Sequence, residues 1–159
     1  LCVKALVRLA TRHQRRIVMA IRRHPRESRT APPPVQGEWF HAVNWDGVEK
    51  SEAILSADLV LGMNSILLME AVQLGQIVVS IQPGLKIPDP LPSNREGSSI
   101  AVTEPASLEQ ALESAVFDDV WRRQHLLSLS AQEQNLVTKG ATEKVLKVAI
   151  HLLERTNDP

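Results

Sequence analysis

The chain has 159 residues, enough for one domain with a real core. Lys plus Arg and Asp plus Glu both number 18, and a formal net charge of zero argues against a general nucleic-acid binder, which would be basic. One cysteine, Cys2, excludes a disulfide framework and a Cys-based metal site, and the five histidines show no metal-ligand spacing; with no secretory signal, this points to a reducing cytoplasm.

Cys2–Thr11 reads as an amphipathic helix with Val3, Leu6, Val7 and Ala10 on one face. Arginines cluster from Arg8 to Arg29, which has two readings: a solvated basic face, the commoner meaning, or a local positive field near an anionic ligand. Arg16–Ile21 reads as a strand that ends in Arg22-Arg23-His24-Pro25. Proline pushes the residue before it out of the helical region, so His24 stays extended and a charged cluster stands at a strand end. Residues 29–38, with Pro32, Pro33 and Pro34, read as an extended linker. Trp39–Val43 follows as a short strand. Asp46 and Glu49 have the spacing of a capping box, with Asp46 as N-cap of a helix over Val48–Ala57.

The stretch from Asp58 to Gly84 organises the rest. Leu59–Leu61 is an aliphatic strand ending at Gly62. Asn64-Ser65 signals a turn and N-cap, and Ile66–Leu74 is a helix closed by Gly75. Ile77–Ile81 is a second β-branched strand, stopped by Pro83-Gly84. Two buried strands joined by a helix make a βαβ unit, whose ligands sit at the carboxyl ends of the strands. That place is Gly62–Ser65, where free N–H groups and the positive helix end face a phosphate. A helix apolar almost all round is expected to be buried, which makes a carboxylate at Glu70 costly unless it is paired or faces a cavity. Two readings stand: Glu70 salt-bridges an arginine from elsewhere, or it accepts hydrogen bonds from ligand hydroxyls. The same carboxylate, with Asn64, Gln73 and Gln76 around it, argues against a membrane span through this apolar region.

Residues 82–99 form a long loop whose prolines preclude a helix. Leaving the carboxyl end of a strand, it is placed to cover a ligand at Ser65. Ile100–Thr103 is a final short strand. Ser107 caps a helix that runs to about Val116, with Gln110 three residues after it. Residues 117–159 read as a helical tail, Val120–Lys139 and Ala141–Arg155, broken near Gly140.

The run Asn64-Ser65-Ile66-Leu67-Leu68-Met69-Glu70-Ala71, followed by Leu74-Gly75-Gln76-Ile77-Val78, resembles a motif of two-domain nucleotide-sugar glycosyltransferases of the GT-B fold. The pattern there is close to N-S-T-x-x-x-E-A followed by L-G-K-P-V. It occurs in surface and capsular polysaccharide enzymes, with a relative in non-hydrolysing nucleotide-sugar 2-epimerases. The chain departs from it at Ile66, where a small hydroxyl residue or Gly is usual, and at Gln76-Ile77, where Lys-Pro is common.

The resemblance, which covers roughly Arg16 to Val116, implies an α/β fold, a Rossmann-like parallel sheet flanked by helices; the chain reads as a single domain over 1–159, with 117–159 a helical tail. Such a domain normally opens with a strand, whereas this chain starts in a helix and with Leu rather than Met; it therefore reads as lacking its first strand and as a piece of something longer. The implied partner is a nucleotide-sugar donor, and the amino-terminal acceptor domain is missing. Asn64 and Ser65 are then at the donor phosphate, Glu70 binds the ribose, and His24 contacts or protonates the phosphate as it leaves. Lys86 and Arg95 are the anion contacts in the loop near the sugar. No metal or other cofactor is implied. The alternatives are a 2-epimerase, whose usual Asp-Ser-Gly-Gly run is not present at residues 63–66, and a non-catalytic interaction domain that kept the fold.

Overall fold

Along the first strand Ile17, Met19 and Ile21 turn inward while Val18 and Ala20 face out, the two-residue period of a half-covered strand. In the computed structural model the described residues are 1–23 and 35–136, with side chains described as far as Leu129. Strands and helices alternate: α1 (Cys2–His13), β1 (Ile17–Ile21), β2 (Phe40–Asn44), α2 (Lys50–Leu55), β3 (Val60–Gly62), α3 (Ile66–Gln73), β4 (Val78–Ile81), α4 (Pro92–Arg95), β5 (Ile100–Val102), α5 (Leu108–Phe117) and α6 (Asp119–Leu136). His24-Pro25, the proline run at 32–34 and the helix expected over 141–155 lie outside the described residues.

Each pairing between these strands is parallel, and one isolated antiparallel bridge joins Gln36 to His41. Ile17 stands opposite Phe40 in β1–β2, Val60 opposite Val78 in β3–β4, and Val79 opposite Ile100 in β4–β5. Among the described residues the strands form two sheets, β1–β2 and β3–β4–β5, with no ladder between them. The fold is therefore α/β, built of small parallel sheets with helices between the strands.

Two apolar clusters hold it together. One joins Leu6 and Leu9 of α1, Phe40 and Ala42 of β2, Val79, Val102, and Leu108, Leu112 and Ala115 of α5. The other joins Ile54 of α2, Val60, Leu68, Ala71 and Val72 of α3, Val78, Leu91 and Leu129 of α6. Val78 and Val79 are adjacent yet belong to different clusters, and both are 0% exposed. Helices therefore cover β4 on both faces, which is why this strand is an unbroken aliphatic run rather than an alternating one. Fully burying a Leu such as Leu9 or Leu112 contributes about 1.5–3 kcal/mol, so the seam between α1 and α5 is set by these side chains.

The observed elements differ from the sequence expectations in instructive places. Glu49, not Asp46, is the N-cap of α2: its carboxylate accepts from the backbone N–H of Ser51 at 2.7 Å and of Glu52 at 3.1 Å. Asp46 is drawn away by Arg23, whose backbone N–H donates to it at 2.9 Å and whose Nε donates at 2.8 Å. Ser107 stands at the N-cap position of α5 but makes no side-chain cap hydrogen bond. It ends a 3-10 turn, Pro105–Ser107, and its hydroxyl donates to the Glu104 carbonyl at 2.9 Å. The prolines of the 82–99 loop do not preclude a helix, because Pro92 stands in the first turn of α4, where its missing N–H costs nothing. Nor is α3 buried all round: Ile66 is 74% exposed and Met63, just before it, 66%. No helix among the described residues is long and apolar enough to cross a membrane.

Candidate functional site

The turn between β3 and α3 is built by close packing. A Cβ added at Gly62 would lie 2.9 Å from Leu68 Cδ2, so any larger residue there would require the buried Leu68 side chain to shift. Ser65 is the N-cap, extended at φ −120° and ψ 143°, and its Oγ accepts from the Leu67 backbone N–H at 3.3 Å. That contact uses an acceptor lone pair and leaves the hydroxyl proton free to donate. The helix start also presents backbone N–H groups without intrahelical partners and the positive end of the helix dipole. Asn64 is exposed beside it, and exposed Ile66 follows.

Glu70 lies five residues beyond Ser65, about 7.5 Å further along the helix axis at 1.5 Å per residue. It pairs with a lysine rather than an arginine. Lys50, the first residue of α2, places Nζ 2.9 Å from Oε1 and 2.8 Å from Oε2. Both oxygens therefore contact the same ammonium, which carries three N–H donors, and Oε2 is shielded from solvent. The pair is partly open, with side-chain exposures of 46% for Lys50 and 33% for Glu70. Because α2 follows the carboxyl end of β2 and α3 that of β3, the contact brings the loop edges of the two sheets together.

A third group reaches the turn from β4. The hydroxyl of Ser80, 0% exposed, donates to the Met63 carbonyl at 2.5 Å. Gln82 Nε2 donates to Ser80 Oγ at 3.0 Å and to Asp89 Oδ1 at 3.1 Å. Asp89 also accepts from the Leu91 backbone N–H at 2.8 Å and from Asn94 Nδ2 at 2.7 Å. Burial opposes the charge on Asp89, but these donors outweigh it and hold the carboxyl below its usual range. The 82–99 loop is thus an ordered wall keyed to the Met63–Ser65 turn. Of the two cations expected there, Arg95 donates to the Asp89 carbonyl at 2.7 Å and Lys86 stands exposed.

At the carboxyl end of β1, Arg22 donates to the Val48 carbonyl and Arg23 pairs with Asp46. Hydrogen bonding from Arg23 holds the Asp46 carboxyl down to about 2. His24, next in sequence, lies outside the described residues. An open depression of about 450 Å³ lies elsewhere, lined by His13, Glu113, Phe117 and Asp118 among others. Its groups already have partners: His13 stacks on Phe117 with centroids 4.1 Å apart and contacts Glu113 at 2.7 Å, and Asp118 accepts from the Trp121 backbone N–H at 2.9 Å. Lys50, Ser80, Gln82 and Asp89 were not singled out from sequence, since each enters through a contact between separate elements.

Taken together, the β3–α3 edge carries a cap hydroxyl at Ser65 and a partly exposed carboxylate at Glu70 on one helix. Comparison with family models, with curated proteins and with solved structures returned no match for this chain.

Proposed function

We propose that this chain is the donor-nucleotide-binding half of a GT-B glycosyltransferase of surface or capsular polysaccharide synthesis. The observation that carries the reading is the pairing of Ser65 and Glu70. An N-cap hydroxyl with a proton to give stands at the carboxyl edge of a parallel βαβ unit, and a carboxylate follows on the same helix. A nucleoside phosphate has the matching chemistry, an anion at one end and hydroxyl donors on the sugar. Asn64 and Ser65 take the phosphate, Glu70 takes the ribose, and His24 contacts or protonates the leaving phosphate. Lys86 and Arg95 serve the sugar side. The finer fold belongs to the same proposal: a Rossmann-like domain, whose parallel sheet lacks one strand, would leave two sheets sharing a core, and the division into β1–β2 and β3–β4–β5 supports that. Transfer of sugar requires the acceptor domain as well, because catalysis there comes from holding both reactants and a positioned base together.

Titration calorimetry with UDP, CMP and CDP at millimolar concentration tests the reading. A dissociation constant of about 0.1–1 mM for one of them, roughly 4–5.5 kcal/mol, is expected when only half of a cleft contributes. Absence of heat and of any melting shift with all three rejects it. The exposed Ile66 and Met63 at the mouth of the site favour a second reading, a non-catalytic interaction domain, and it is the one left standing by that negative result.

A further inference from the structure

We infer that β1 and β3 flank a docking slot for one strand of a partner polypeptide, inserted parallel to both and joining the two sheets into one. The inference uses the division of the sheets and requires no ligand at Ser65. It starts from the backbone groups each strand has already used. In a parallel ladder a residue turns its N–H and its C=O toward the same neighbour, and the next residue turns both the other way. Ile17 N–H donates to the Trp39 carbonyl and Trp45 N–H to the Ile21 carbonyl, both at 2.9 Å, so Ile17, Met19 and Ile21 face β2. Val18 and Ala20 therefore face the opposite edge. Val60 N–H donates to the Ile77 carbonyl at 2.9 Å, so Val60 and Gly62 face β4 and Leu61 faces away from it. Among the described residues neither of these edges has a ladder partner. The far edge of β2 differs. Residues 35–37 close it, with Ala42 N–H donating to the Val35 carbonyl at 3.0 Å and Gly37 N–H to the Phe40 carbonyl at 2.8 Å. These residues are exposed, so that edge is the outer rim and the edge of β1 is the inner one.

Burial puts the edges of β1 and β3 on either side of one gap. Ile17, Met19 and Ile21, with Leu59 and Leu61, all pack on the cluster formed with α1 and α5, yet all five are only half-buried. One strand further out on each side, Phe40 and Ala42 of β2 and Val79 of β4 are buried in the same cluster. A layer that is open in its middle and closed on both flanks has room for a strand there. An open edge of this kind is a template for pairing with another chain. On the other face of β1, Val18 is 58% exposed, so an inserted strand meets apolar surface on both of its sides and is an unbroken aliphatic run. Its ends are acidic. Arg15 and Arg16 are exposed at the amino end of β1, opposed there by Asp58 before β3, and Arg22 is exposed at the carboxyl end.

Amide hydrogen exchange followed by NMR tests the slot, with the peptide Glu-Glu-Val-Ile-Val-Ile-Val-Glu-Glu as the partner strand. In the chain alone the amides of Val18, Ala20 and Leu61 exchange fast, and those of Met19, Ile21 and Gly62 slowly. Excess peptide slows the first three by about tenfold or more, and the same peptide with proline at its centre does not. A20P removes one donor that faces the slot, leaves the β1–β2 ladder intact and lowers peptide affinity about tenfold. The proline peptide carries the test if A20P folds poorly. The slot is overturned if the aliphatic peptide leaves the three amides unchanged, if the proline peptide protects them equally, or if folded A20P binds with full affinity. Slow exchange of the three amides in the chain alone overturns it too. Independent of chain concentration, it means the chain closes its own edges; growing with concentration, it means the partner is a second copy. None of these outcomes bears on nucleotide binding, which calorimetry reads separately.

Discussion

The hydroxyl of Ser80 on β4 donates to the carbonyl of Met63 at 2.5 Å, tying the end of one strand to the turn that follows its neighbour. Ser80 is fully buried, while Met63 is 66% exposed. Ser80→Ala removes the donor to the Met63 carbonyl and one acceptor from Gln82 Nε2, at a cost of about 0.5–1.5 kcal/mol. Urea unfolding measures it. An unchanged midpoint would show that the turn is held by packing alone.

The acid limb of stability follows from the carboxylates. The Asp46 carboxyl is held at about 2 by Arg23, and those of Asp89, Glu49 and Glu109 are also lowered, the last by Arg8. A carboxyl whose folded value lies below its unfolded value, near 4, stabilises the fold above that unfolded value, and its contribution is lost as pH falls through the folded one. Stability is therefore expected to decline from about pH 4 toward pH 2. Asp46→Asn flattens part of that decline, and added salt flattens it too, since Asp46 is exposed. Thermal melts at fixed ionic strength across that range give the comparison; an identical profile for Asp46→Asn removes the Arg23 contact as its cause.

The seam between α1 and α5 combines ion pairs with apolar contacts, and magnitudes decide between them. Glu109 receives Arg8 at 2.6 Å and Arg12 at 2.7 Å, with the arginines more than half exposed. Exposed pairs contribute about 0–1 kcal/mol, so Glu109→Gln changes stability by less than about 1 kcal/mol and less still in high salt. Leu112→Ala, at a position 0% exposed, costs about 2–5 kcal/mol. Urea midpoints of the two variants in low and high salt check the order. A larger loss for Glu109→Gln would mean that the pair network, not the buried leucines, docks α1.

Gln14 ends α1 in the left-handed region, at φ 49° and ψ 38°. Gly75 occupies the same kind of position after α3, at φ 76°, and there the sequence supplies the residue that tolerates it. Gln14→Gly is expected to stabilise the chain by about 0.5–1 kcal/mol, the backbone strain relieved exceeding the added entropy of the unfolded state. A lower melting temperature for Gln14→Gly contradicts this.

The β3–α3–β4 unit was legible in the sequence because its signals are local: Ser65 before an aliphatic run, Gly75 after it, Pro83-Gly84 beyond the next strand. What was not legible depends on contacts between distant residues. Asp46 has the spacing of a cap, but Arg23, 23 residues earlier, claims it, and Glu49 takes its place. The 82–99 loop looked unstructured because the Ser80–Gln82–Asp89 chain that orders it has no pattern in sequence. Composition likewise made α3 look buried all round, since it cannot show which side of a helix a neighbour covers. Ile66 is exposed because, among the described residues, nothing packs over that side. Glu70 was recognised as needing a partner, but the identity of Lys50, 20 residues away, came only from the geometry.

The last prediction separates a ligand role for Glu70 from a structural one. Glu70→Gln keeps the shape and removes the charge. Both members of the Lys50–Glu70 pair are partly exposed, at 46% and 33%, so the pair belongs to the weak class worth about 0–1 kcal/mol. The released lysine reaches water, and no buried charge is left behind. The variant should therefore unfold within about 1 kcal/mol of wild type, while its affinity for a ribonucleotide falls about tenfold or more. Urea unfolding and calorimetry on the same preparation give both numbers. A loss of about 3 kcal/mol or more, the size seen when a buried pair is broken, would assign Glu70 to the fold. Full stability with unchanged nucleotide affinity would remove it from the site while leaving Ser65 in place.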